Sequence, residues 1–76
     1  MRIFKSTCID SKTNMEMVLS DASYNNAAWY IDNLARVNHF RVLGTETVSD
    51  LTKIICTAGI TFYYDEARGY LLKEVA

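Results

Sequence analysis

The side chains that most often move protons, attack carbonyl carbons or bind transition metals are scarce in this sequence: one histidine, His39, and two cysteines, Cys8 and Cys56. General acid–base catalysis needs a proton-transfer group within reach of substrate, and nucleophilic catalysis needs a hydroxyl or thiol beside a base. His39 is followed by Phe40 and Arg41, with no neighbouring carboxylate and no G-x-S-x-G motif, so the expected role is that of a helix-terminal histidine. Cys8 and Cys56 lack the C-x-x-C spacing of a zinc or redox site and are expected to be small buried hydrophobes, with a disulfide as the alternative outside a reducing compartment. Asp65-Glu66 reads as a solvated turn, and Gly44, Gly59 and Gly69 stand too far apart to cradle a phosphate. No catalytic residue, metal site or cofactor is expected, and the chain reads as noncatalytic.

Recognition chemistry is better represented. On a helical wheel of about 100° per residue, Tyr24, Ala27, Ala28, Ile31, Leu34 and Ala35 form one apolar stripe, and Trp29 lies roughly 160° away from its centre. Asn25, Trp29, Asn33 and Arg36 share one strip of that opposite face. Trp and Arg are the residues most enriched at binding hot spots, and asparagines offer hydrogen bonds without the desolvation cost of a full charge. These four residues are therefore the expected protein-binding surface. The competing arrangement lays Trp29 against a neighbouring loop such as residues 44–47.

A second candidate surface lies near the C-terminus. Arg68-Gly69-Tyr70 opens a strand, with Tyr63 and Tyr64 on the strand before it. The triplet resembles the RNP1 signature of RNA-recognition motifs, in which sheet aromatics stack on bases. That resemblance implies Tyr63, Tyr70, Arg68 and Lys73 as nucleic-acid contacts. It covers three residues: Leu71 stands where the signature has Gly or Ala, Lys73 replaces an apolar position, and the element order differs from βαββαβ. Eight Lys and Arg against nine Asp and Glu leave a formal net charge of −1, so no global field attracts phosphates and nucleic acid ranks behind protein as a partner.

These surfaces need elements to position them. Residues 2–9 are rich in β-branched and aromatic types, residues 15–19 alternate, and the polar turn formers DSKTN lie between, which predicts a hairpin. Either Phe4 and Cys8 or Ile3 and Ile9 would face inward. Ser20 or Asp21 is the expected N-cap of a helix over residues 21–38, stopped at Asn38 or His39. Phe40, Val42 and Leu43 suggest a third strand. Leu51, Ile54, Ile55 and Ala58 recur at i, i+3, i+4 and i+7 after Ser49 and before Gly59, which predicts a short second helix; a strand through residues 52–57 is the competing reading. Residues 60–64 and 70–75, joined by DEARG, predict a second hairpin.

The order ββαβαββ implies an α+β fold: a mostly antiparallel sheet with one long and one short helix packed on one face, in a single domain over residues 1–76. Half the residues are hydrophobic and 22% are charged, as in ordinary globular chains. Residues 1–11 contain too short an apolar run for a signal peptide, and no run of about 18 apolar residues exists for a membrane span, so a cytoplasmic location and no membrane partner are expected. The expected function is a protein-binding module of the accessory or inhibitor kind, such as phages and mobile elements carry. A nucleic-acid-binding regulator and a homodimer built through helix faces or an edge strand are the alternatives.

Overall fold

The computed structural model describes residues 8–74. Over the described residues the fold is α+β, with one six-stranded antiparallel sheet and one helix. Strands β1 (Cys8–Asp10) and β2 (Met15–Leu19) precede helix α1 (Tyr24–Asn38), and β3 (Val42–Val48), β4 (Leu51–Cys56), β5 (Thr61–Asp65) and β6 (Tyr70–Lys73) follow. Spatial order is β1-β2-β6-β5-β4-β3. The last four strands form a meander that starts at the far edge and returns, so β6 slots in beside β2, pairing Glu16 with Lys73 and Met17 with Leu72. Of the first expected strand, residues 2–7, including Ile3 and Phe4, lie outside the described residues, as does Val75.

Helix α1 begins at Ser23, whose Oγ accepts from the Asn26 N–H at 3.1 Å, and not at Ser20 or Asp21. Asp21 adopts a left-handed φ of 55°, and the Ala22 N–H donates to the Gly69 carbonyl at 2.9 Å, so this link is tied to the β5–β6 turn before the helix can start. At the other end His39 takes the left-handed C-cap conformation, its N–H donating to the Ala35 carbonyl. Ala27 and Ile31 are fully buried from the helix side, with Tyr30, Leu34 and Ala35 partly buried beside them. The small side chain at Ala27 lets the helix backbone approach the sheet closely. Against this stripe the sheet presents Val18, Ile54, Cys56, Phe62, Tyr64 and Leu71. The Tyr24 ring meets Tyr64 edge-on at 5.5 Å, and the Tyr64 hydroxyl donates to the Ala22 carbonyl at 2.6 Å.

The expected second helix is a strand. Residues 51–56 form β4, flanked on both sides, with Ile54 opposite Thr45 on β3 and Phe62 on β5. Two features decided against helical periodicity here. Thr52, Ile54 and Ile55 are β-branched and lose rotamer freedom in a helix. Ala58 and Gly59 both take positive φ, as a two-residue hairpin turn requires, and the Ile60 N–H closes back onto the Thr57 carbonyl. Ser49, expected as a helix cap, instead has φ of 57° in the two-residue link between Val48 and Leu51.

Gly69 and Gly44 provide a test of this geometry. A Cβ at Gly69, where φ is +67°, would stand 3.2 Å from the Ala22 carbonyl oxygen, whereas one at Gly44 would meet nothing within 4 Å. Gly69→Ala is expected to cost about 1–2 kcal/mol from the left-handed conformation, with the contact adding to it. Gly44→Ala should be neutral or stabilising by up to about 1 kcal/mol. Urea unfolding of the two variants checks the contrast.

Candidate protein-binding face

Trp29 projects from the middle of α1 on the side away from the sheet and is 70% exposed. The neighbouring loop of residues 44–47 does not cover it, because those residues belong to β3 at the sheet edge. One turn along, the Asn33 side chain donates to the Trp29 carbonyl at 2.9 Å, and Arg36 in turn donates to Asn33 Oδ1. This chain of two hydrogen bonds restrains Asn33 and Arg36 on the indole side of the helix, lowering the entropy lost if they meet a partner. Asn25 is exposed one turn before Trp29, and Val37, 69% exposed, extends the apolar part of the face toward the helix C-terminus. Asn25, Trp29 and Arg36, all exposed, and the half-buried Asn33 thus share one strip of the helix.

The alternative set is not assembled in this way. Tyr63 pairs with Leu72 and Tyr70 with Asp65, which puts both rings on the sheet face opposite α1, while Lys73 pairs with the buried Phe62 and lies on the helix side. Arg68 is engaged elsewhere. Its Nη1 and Nη2 donate to the two Asp10 carboxylate oxygens at 2.9 Å each, and its Nε donates to Asp65 Oδ2 at 2.7 Å. The guanidinium also sits 4.6 Å from the Tyr70 ring centroid. Asp10 gains further bonds from the Thr13 hydroxyl and N–H, at 2.6 and 3.2 Å. This ion cluster ties the β1–β2 turn to the β5–β6 turn across 58 residues of sequence, a pairing that no local pattern reveals.

The cysteines diverge from their shared expectation. Cys56 is buried in the core, and burial pushes its thiol pKa up, which keeps it protonated and unreactive. Cys8 is exposed, because β1 is an edge strand and Cys8 lies opposite Met17 on the face away from α1. Both are thiols, with no disulfide between them. Among the described residues no group of three or more His, Cys, Asp or Glu side chains gathers as a metal site, and no helix is long and apolar enough to cross a membrane.

Sequence reasoning missed a further surface feature: Val42, Leu43 and Val48 on β3 are all exposed, at 40%, 61% and 39%. The signal was present in VLGTETV, which carries apolar residues without the alternation of a strand that buries one face. No protein-family model, characterised protein or solved structure matches the chain, so function is argued from its own side chains.

The ion cluster predicts a specific pH response. Hydrogen bonds from Arg68, then from Thr13, hold the Asp10 carboxyl well below its ordinary 3.8. For Asp65 burial acts upward, but hydrogen bonds from Arg68 and its charge outweigh it, so the net displacement is again downward. The stability contributed by both groups is therefore complete above the ordinary carboxylate value and is lost as pH falls below it. In Arg68→Met the Asp65 carboxyl loses its cation while staying buried, which raises it above its unfolded value, whereas Asp10 keeps its hydrogen bonds from Thr13. That variant should gain thermal stability between about pH 6 and about pH 4 as Asp65 takes up its proton, whereas in the wild type these two groups contribute no change until pH falls below 3.8. Melting curves of both forms at the two pH values check the contrast.

Proposed function

We propose that this protein is a noncatalytic protein-binding module that docks through the outer face of α1, with Trp29 as the anchor and Asn25, Asn33 and Arg36 around it. The observation that carries this reading is the 70% exposure of an indole on a helix whose other face already meets the core. Tryptophan offers a large rigid contact area with few rotamers to freeze, so leaving it in water forgoes stability that an inward position would supply. The matching partner surface is an apolar pocket for the ring, with a carboxylate or carbonyl within reach of Arg36.

A small rigid domain of this kind acts by occupying a surface, which suits an accessory or inhibitor protein working in the cytoplasm, of the sort phages and mobile elements carry. The nucleic-acid reading is less favoured, because Arg68 is held by two carboxylates and Lys73 lies on the sheet face away from Tyr63 and Tyr70.

Trp29→Ala separates docking from folding. An exposed side chain contributes little to the folded state, so the variant should melt within about 0.5 kcal/mol of wild type. Capture of the partner from host lysate should fall by about 30-fold, the equivalent of a hot-spot loss near 2 kcal/mol. Equal retention of the same proteins by both forms, or loss of folding in the variant, would refute the proposal.

A further inference from the structure

The seven-residue strand β3 forms one edge of the sheet and has no buried residue along its whole length. Its backbone therefore offers hydrogen-bonding groups to a further strand. Three of the large apolar side chains exposed on the protein, Val42, Leu43 and Val48, sit on it. Natural edges are commonly blocked by proline or lysine, and β3 contains neither; its one charge, Glu46, lies beside Lys53 of the adjacent strand at 3.9 Å.

We infer that β3 pairs with the β3 of a second copy of this chain, antiparallel about a two-fold axis through Thr45, to make a continuous twelve-stranded sheet. Several features select that occupant and that register. A two-fold axis perpendicular to the sheet keeps each face on its own side, so the axis must pass through a residue paired with itself. Centring on Thr45, the middle of the strand, lets all seven residues take part, whereas any other centre leaves overhanging ends. Centring on Glu46 would oppose two carboxylates.

With Thr45 on the axis, Gly44 faces Glu46 of the second copy, Leu43 faces Thr47, and Val42 comes level with Val48. No like charges meet. Beyond the strand ends, Arg41 falls opposite the second copy's Ser49 and adjacent to its Asp50, and the symmetry makes that contact twice; both Arg41 and Asp50 are exposed. The register shift between Val42 and Gly44 places the irregular residue, Leu43, near the end of the pairing and away from the axis. The two helices lie on the same side of the joint sheet, and the Trp29 faces stay outside the strand pairing, so the dimer is independent of the docking role proposed above.

Sedimentation equilibrium over a range of concentrations tests the inference on the full chain. Wild type is expected to reach twice the 8.7 kDa chain mass. Thr45→Lys and Thr45→Glu each place like charges on the axis and should remain monomeric while keeping the wild-type circular dichroism spectrum. An equal mixture of the two should recover the doubled mass, since the axis then joins opposite charges. Arg41→Glu, outside the strand, should weaken the dimer about tenfold without altering the fold. A wild type monomeric at every concentration, a dimer insensitive to either charge at Thr45, or one abolished by Trp29→Ala would overturn it.

Discussion

The contact on which the rest of this structure depends is the seating of Ala27 and Ile31 against Ile54, Phe62 and Leu71. Among the described residues one helix covers the six-stranded sheet, and the main core lies between the two, with Leu72 buried separately on the opposite face. With so little depth, a single layer of side chains from each side must meet without gaps. Ala27 sets the distance and Ile31 with Phe62 fills it. Once that distance is set, the direction of every other helical residue follows, including the outward direction of Trp29.

A second constraint acts at the end of the sheet where the turns converge. The Arg68 guanidinium spans two carboxylates contributed by β1 and β5, while Gly69 and Tyr64 hold the segment that leads into α1. The start of the helix, the β1–β2 turn and the β5–β6 turn are thereby fixed relative to one another. A basic residue next to a tyrosine, in isolation suggestive of phosphate recognition, serves here as a structural clamp. Charge complementarity with Asp10 and Asp65 outweighs attraction to an external anion, because the bidentate geometry is already complete within the protein.

What was legible in the sequence follows the range of the interactions involved. The helix was readable because its apolar stripe repeats every turn over 15 residues, and the solvent-facing placement of Trp29 came from the same wheel. The two hairpins were readable from alternation and turn chemistry. β4 was misread because Leu51, Ile54, Ile55 and Ala58 mimic a helical period in a segment whose fate is decided by neighbours on both sides and by two positive φ values at Ala58 and Gly59. Strand burial is settled by partners distant in sequence, and the Asp10–Arg68 pair is the extreme case. The exposure of β3 left a trace in the missing alternation of VLGTETV, but its place at an edge did not, since only the strand order reveals which strand ends up there.

That strand order carries a consequence for how the molecule is made. β2 finds its second neighbour in β6, the last of the six strands to be synthesised, while the helix and the other three strands come between. The β1–β2 hairpin is therefore made well before β6, the strand that pairs its inner edge. Closure of the sheet is a late, long-range event, and contacts so distant along the chain are slow to form. Until then the inner edge of that hairpin stays open to pairing with other strands.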